Sequence, residues 1–278
     1  MPGALRSTAL QLRTARRVLR RSSGPLRARL GRLDERLVFI VGSPRSGTTF
    51  LGRAIGSLPG FVDLGEVAAL KASVPELASR APDEAAARLR RLLALAGRLG
   101  LAGGLRAVEH TPENAFVAEA LALAFPEARF VHPVRDGRDV AASLLERGWL
   151  SEERGGEDDD AGLPYGPGVR FWVERERAEE FGRAGDARRA AWAWRRYVEA
   201  ARSIPDRTLE LRYEELAALP DAAAARLAPF LGVEAEALAA ALSEARVSAV
   251  GRYRRDLPRE QLVEVEAECG ELLRELGY

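Results

Sequence analysis

Residues 37–50 read L-V-F-I-V-G-S-P-R-S-G-T-T-F, and this stretch decides the fold. The five apolar residues 37–41 make the short unbroken run of a strand buried on both faces of a parallel sheet. Gly42, Ser43 and Pro44 break that run with a turn. Ser46, Gly47, Thr48 and Thr49 then lead into a helix whose apolar positions include Phe50, Leu51 and Ile55. A strand, a tight glycine loop and a helix start aim backbone N–H groups and the positive end of a helix dipole at one point. An anion belongs there, most often a phosphate.

Gly42 and Gly47 have the G-x-x-x-x-G spacing of a nucleotide P-loop. That loop needs a lysine directly after the second glycine to reach the β- and γ-phosphates, and the residue here is Thr48. The cation of the loop is Arg45, inside it. The stretch is therefore built for a phosphate without the usual triphosphate and Mg²⁺ hardware. P-R-S-G-T-T after a strand resembles the 5′-phosphosulfate loop of the sulfotransferases that use 3′-phosphoadenosine 5′-phosphosulfate (PAPS).

Upstream, residues 1–36 hold ten arginines against two acids, Asp34 and Glu35. No apolar run there approaches the roughly 18 residues of a membrane span, and no signal-peptide core is present. A basic amphipathic helix on an anionic membrane or partner and a solvated leader both fit, and the solvated leader is preferred. A cytoplasmic protein is expected. The 278 residues suit a leader followed by one large α/β domain at 37–278. Net charge +1 gives no general bias toward nucleic acid. One cysteine, Cys269, excludes an intrachain disulfide, and two histidines leave little for a metal cluster, so no metal is expected. A single lysine, Lys71, stands among arginines, which reads as compositional bias.

Downstream, residues 61–64 read as a short extended piece, and Glu66 opens the helix after it, where a carboxylate is favourable in any case. In the tyrosylprotein sulfotransferases and their bacterial relatives a G-E pair follows the phosphate loop at a similar distance, and that Glu is the proposed base. The resemblance makes Glu66 a candidate for the same role. Two helices around Pro82 follow as scaffold. Residues 105–108 read as a buried strand running into Glu109-His110-Thr111-Pro112. Ligands bind at strand ends in an open α/β sheet, so His110 is well placed. Several sulfotransferases carry E-K-T-P at this point, and cytosolic ones carry a His two residues before a proline as base. E-H-T-P departs from the first pattern and partly fits the second. His110 can take a proton, steady a leaving group, or cap the helix expected at 112–125.

Residues 128–134 read as the next strand, ending in R-D-G-R-D-V-A-A-S at 135–143. This resembles the 3′-phosphate site of the same family, with forked hydrogen bonds from Arg135, a donor in Ser143, and Arg147 one turn on along the same face. Asp136 and Asp139 read as acids favouring the helix start. Residues 151–168 are acidic, glycine-rich and irregular. Helices are expected at 169–181 and 186–203, with Trp192, Trp194 and Tyr197 in the core. The strand at 208–212 ends in Tyr213-Glu214-Glu215-Leu216, similar to the family's Y-E-D-L, whose Tyr lies near the nucleotide. Tyr213 can equally be a core tyrosine. Residues 250–258 resemble the C-terminal nucleotide-covering loop of tyrosylprotein-type enzymes, with Arg252 and Arg254 as candidates to face phosphates.

The resemblance covers residues 37–278 and implies a P-loop-like three-layer α/β fold, a central parallel sheet with helices on both faces. It implies transfer of the sulfonyl group of PAPS to a hydroxyl or amine by in-line displacement, releasing adenosine 3′,5′-bisphosphate (PAP). The 5′ side would be held by Arg45, Ser46, Gly47, Thr48, Thr49 and Phe50. The 3′ side would be held by Arg135, Ser143 and Arg147, with Tyr213, Arg252 and Arg254 alongside. Arg45, Glu66 and His110 would carry the chemistry. A small-molecule kinase and a non-catalytic nucleotide-binding protein are the alternatives.

Overall fold

The computed structural model describes residues 37–101, 105–159 and 161–278. Residues 1–36, and with them the leader and its membrane contact, lie outside the described residues. One sheet of five strands organises the rest. The strands are β1 (Leu37–Ile40), β2 (Phe61–Gly65), β3 (Arg106–Glu109), β4 (Arg129–Val134) and β5 (Thr208–Arg212), in the order β2-β3-β1-β4-β5 with every pair parallel.

β1 takes the centre because nothing in it is polar. Its side chains alternate between two cores, Leu37, Phe39 and Val41 on one face and Val38 and Ile40 on the other. Each large apolar side chain so buried stabilises the fold by about 1.5–3 kcal/mol. The Val38 face is covered by α1 (Thr48–Ser57), α8 (Tyr213–Ala218), α9 (Pro220–Leu231) and α10 (Ala235–Leu242), which contribute Leu51, Leu216, Leu227 and Leu238. The Phe39 face is covered by α2 (Ala68–Leu77), α3 (Pro82–Leu101), α4 (Ala118–Ala124), α5 (Gly137–Arg147), α6 (Ala178–Arg183), α7 (Asp186–Ala201) and α12 (Arg259–Glu275). A short turn of helix, α11 (Tyr253–Asp256), precedes α12. Helices therefore flank the sheet on both sides, in three layers. Trp192, Trp194 and Tyr197 of α7 are fully buried.

Three local expectations need correction. The piece at 61–64 is a full edge strand, β2, paired with β3. The helix at 112–125 divides into a 3-10 segment, Pro112–Val117, and α4. The helix at 169–181 does not form at its N-terminal end: only Arg175–Arg177 (3-10) and α6 are helical. Arg170 folds back onto the carbonyl of Gly166 at 2.7 Å, and Trp172 and Val173 insert into the core. Tertiary burial there overrides local propensity.

The topology sets the site. From β1 the chain moves to β2 and β3 on one side, then to β4 and β5 on the other. The order switches beside β1, and the crevice outside the strand ends at such a point is where ligands bind. All five strands point their C-terminal ends at that crevice. Each delivers a residue singled out above: the 42–47 loop, Glu66, His110, Arg135 and Tyr213.

Candidate active site

The phosphate loop turns on two glycines, Gly42 at φ 138° and Gly47 at φ 96°. A Cβ on Gly47 would stand 2.7 Å from Cδ2 of Tyr213, and one on Gly42 would stand 2.7 Å from Cδ2 of His132. His132 is buried behind the loop, its Nδ1 3.1 Å from Glu210. Among the described residues Arg45 is the one non-glycine with positive φ, 69°. A left-handed residue costs roughly 1–2 kcal/mol, and such conformations concentrate at functional sites. The turn points the Arg45 side chain across to α5, where its Nε donates to Ser143 Oγ at 2.9 Å. The N–H groups of Thr48, Thr49 and Phe50 open α1 and have no carbonyl within the helix to bond. Ser46 Oγ is buried without a partner.

Arg135 leaves the end of β4 nearly buried. It donates to the carbonyls of Arg45, at 3.0 Å, and of Ala249, and its guanidinium lies 5.1 Å over the Tyr213 ring. Its Nε is buried without a partner. Trp194 Nε1 supports it from the core through the Arg135 carbonyl at 3.0 Å. Asp139, fully buried, lies 3.6 Å from Arg135 and accepts from the N–H groups of Gly251 and Tyr253 at 2.8 and 2.9 Å. It thereby ties the C-terminal segment to α5. Arg252 reaches Asp256 and Glu146 at 2.6 and 3.0 Å. Arg254 is exposed, stacked over Tyr253 at 4.9 Å, and does not line the cavity.

These groups enclose a cavity of about 800 Å³. Among the described residues Arg45, Arg53, Arg135, Arg147, Arg246 and Arg252 line it against one carboxylate, Glu244. Burial lowers the pKa of Arg45, and the charges of Arg147, Arg135 and Arg252 lower it further, against Glu146. Cations crowded in this way are complementary to a multiply charged anion. The orphaned Ser46 hydroxyl, the orphaned Arg135 Nε and the open N-terminus of α1 are donors that fit the oxygens of such an anion.

A second cavity, of about 900 Å³, shares Arg45, Thr49, Arg53 and Arg147 with the first. Its floor holds Glu66, His110, Lys71 and Glu113. His110 Nε2 is 3.1 Å from Asp63 Oδ1. Burial works against its charge, but the bond to Asp63 and the charges of Asp63, Glu109 and Glu66 outweigh burial and raise its pKa. Gly52 of α1 leaves room for the ring, since a Cβ there would collide with it. Lys71 Nζ lies 2.8 Å from Glu66, 2.9 Å from Asp159 and 3.7 Å from Glu113. Burial pushes Glu113 up to about 7, with Lys71 pulling the other way. Glu109, fully buried, accepts from the N–H groups of Val67 and Thr111 at 3.1 Å and from the side chains of Thr111 and Asn114. One carboxylate thus fixes the start of the segment after Glu66 and the turn after His110.

The structure brings Arg45, Gly47, Thr48, Thr49, Phe50, Arg135, Ser143, Arg147, Tyr213 and Arg252 to one cavity and Glu66 and His110 to its neighbour, while Ser46 is fully buried and lines neither. Sequence reasoning missed Arg53, four residues after Thr49 on α1, which helical spacing alone could have found. It also missed Arg246, Asp63, Glu109, Lys71, Glu113 and Asp159, and the tie made by Asp139. Among the described residues no helix is long and apolar enough to cross a membrane, and no group of His, Cys, Asp or Glu side chains is arranged to hold a metal ion.

Known proteins bear on this arrangement. No curated protein matches the chain. Among solved structures, the sulfotransferase domain from the Synechococcus PCC 7002 olefin synthase is similar at TM-score 0.52 and 18% identity, over 87% of this chain and 94% of that one. The sulfotransferase domain from the curacin biosynthetic pathway is similar at TM-score 0.54 and 16% identity, over 84% and 96%. At these identities the likeness is one of fold. The model of the sulfotransferase family matches residues 94–237, just over half of the sequence, and runs from within α3 to the start of α10 with Arg135 and Ser143 inside it. With that match laid over a sheet whose strand ends converge on an arginine-lined cavity, the chain belongs to the sulfotransferase family.

Proposed function

We propose that the chain transfers the sulfonyl group of PAPS to a hydroxyl or amine, releasing PAP. The observation that carries this reading is the junction of two cavities. One is lined by six arginines, the other holds Glu66 and His110, and they meet at Arg45, Thr49, Arg53 and Arg147. A donor bound in the first and an acceptor bound in the second would react at that junction.

Arg45, Ser46 and the N–H groups of Thr48, Thr49 and Phe50 would hold the 5′ end of the donor. Arg135, Ser143 and Arg147 would hold the 3′-phosphate, with Tyr213 and Arg252 at the nucleotide. Bound there, the donor supplies a sulfonyl group on a phosphate leaving group. The residues of this chain do the rest. Arg45 and the α1 amides face the negative charge that grows on the departing phosphate, the kind of fixed electrostatics that typically supplies the largest part of catalysis. Glu66, partly exposed to the acceptor cavity, takes the acceptor's proton. His110, its pKa raised beside Asp63, is better suited to lend positive charge than to accept a proton, which favours Glu66 over His110 as the base. Thr48, standing where a P-loop kinase needs lysine, weighs against phosphoryl transfer from a triphosphate.

Calorimetric titration with PAP, using ADP as the control without a 3′-phosphate, tests the donor site. PAP should bind far more tightly than ADP, and Arg135→Ala should weaken PAP alone by about tenfold or more, the loss of a charge-assisted pair. Equal binding of the two nucleotides would return the kinase reading. Glu66→Gln that kept turnover while His110→Ala abolished it would reverse the two roles.

A further inference from the structure

Lys71 is the one lysine in a chain that otherwise uses arginine for every long cationic side chain. It lies at the floor of the acceptor cavity, with 14% of its side chain exposed, inside a ring of carboxylates from three parts of the fold. Glu66 follows β2, Glu113 lies in the first turn of the 3-10 segment after β3, and Asp159 comes from the 151–168 loop. All three lie within 3.7 Å of one nitrogen. An ammonium is compact, with three donors about a point, whereas a guanidinium spreads its donors around the edge of a plane. The site matches the ammonium.

The loop it reaches is locally built. Asp159 Oδ1 accepts from the N–H groups of Ala161 and Leu163 at 2.8 and 2.9 Å, and Asp159 N–H donates to the Leu163 carbonyl at 2.7 Å. The N–H of Tyr165 bonds Glu157 at 2.7 Å. At its root the loop is held by Gly166 N–H on the Trp149 carbonyl and by Arg154 on the Arg147 carbonyl. Its tip meets the cavity floor through the second oxygen of Asp159, on Lys71. Arg154, Asp158, Asp159 and Tyr165 make it one wall of the acceptor cavity.

We propose that Lys71 is a positioning residue of the acceptor side, one ammonium that fixes the Glu66 carboxylate and, through Asp159, latches the 151–168 loop against the cavity floor. The proposal rests on the reading of Glu66 as base for its catalytic meaning, but not for its geometry. Lys71 stays charged throughout the working range, because Glu113, Glu66 and Asp159 outweigh its burial. With Lys71 bonded to both Asp159 and Glu66, the Glu66 carboxylate is held in one orientation beside that wall.

The single lysine makes the test direct. Incorporation of ¹⁵N-lysine gives the full chain one side-chain ammonium resonance. That signal should be resolved at neutral pH in the native protein, its protons held against exchange by the carboxylates. It should broaden away in Asp159→Asn and in Glu66→Gln; asparagine keeps the Oδ1 acceptor of the local turn and removes only the charge on Lys71. Amide hydrogen exchange across residues 157–165 should quicken about tenfold in Lys71→Met and in Asp159→Asn, with β1 and β4 unchanged. An ammonium signal indifferent to both substitutions, or exchange at 157–165 within about twofold of native in both variants, overturns the proposal. Neither readout needs turnover. A Glu66→Gln protein that still transfers sulfonyl groups therefore removes the base assignment and leaves the latch to be judged on its own.

Discussion

Glu113 sets how the acceptor floor responds to pH. Burial raises its folded-state pKa from 4.5 to about 7, with Glu66 and Asp159 adding to the rise and Lys71 opposing it. A raised acid holds its proton in the folded chain while the unfolded chain has released it. Between pH 4.5 and 7 the folded state therefore binds more protons, and stability falls as pH rises through that window, then levels off. Glu210, lowered to about 2 despite its burial by Arg202 and His132, acts below pH 4.5 and does not overlap. Glu109 and His110 are raised as well and add slopes of the same sign, so Glu113→Gln, which mimics the neutral acid, should flatten the pH dependence without abolishing it and gain on the order of 3 kcal/mol at pH 8, with little gain at pH 4.5. Urea midpoints of both proteins at the two pH values check it. Equal differences at both would mean that Glu113 is ionised throughout. At Gly47 the demand is steric: Ala would carry a Cβ at φ 96° and press it on Tyr213. Gly47→Ala should lose PAP affinity about tenfold, an αL penalty plus the clash, while retaining a cooperative thermal transition.

α5 collects four tasks on one face. Asp136 caps it through the N–H of Arg138 at 2.9 Å, Asp139 holds the 250–253 segment, Ser143 meets Arg45, and Arg147 stands where the two cavities join. The intervals of three and four residues put them in a row. Much of this element was legible, since R-D-x-R-D-x-x-x-S is contiguous and its spacing alone places Ser143 and Arg147 together. The tie from Asp139 was not, because its partners are backbone amides supplied by a turn far along the chain. Asp139→Ala leaves the N–H groups of Gly251 and Tyr253 without acceptors, each at about 1–3 kcal/mol if they stay buried. The segment should instead swing away. Trypsin should then cut within residues 252–255 faster than it does in the native chain, and PAP should dissociate faster by about tenfold. A native cleavage pattern would show that packing of Tyr253, and not Asp139, holds the segment down.

Across the whole molecule, what the sequence disclosed follows a physical divide. The sheet and the phosphate loop are written in single unbroken stretches, where burial on both faces and a missing Cβ leave a local mark. The acceptor side is assembled through space, from Glu66, Lys71, Glu113 and Asp159, and no period or spacing joins a helix, a 3-10 turn and a distant loop. Lys71 reads as an accident of composition until its surroundings are seen. Charge divides in the same way. A net charge of +1 describes neither cavity: six arginines face one glutamate in the first, while carboxylates ring Lys71 in the second. Because the first cavity opens to solvent, its attraction for a polyanion is screened by salt, with a Debye length that shrinks from about 10 Å at 0.1 M to about 3 Å at 1 M. PAP affinity should therefore fall by about tenfold between 50 and 500 mM NaCl. Removing Arg53 or Arg246, which line the cavity, should flatten that dependence while leaving the preference for PAP over ADP intact. The preference should be lost in Arg135→Ala, a nearly buried arginine that the proposed function places on the 3′-phosphate. Calorimetry in a salt series separates the two effects. Binding that ignores salt in the native protein would mean that Glu146, Glu244 and Asp256 already neutralise the arginines, and that shape and hydrogen bonds alone select the nucleotide.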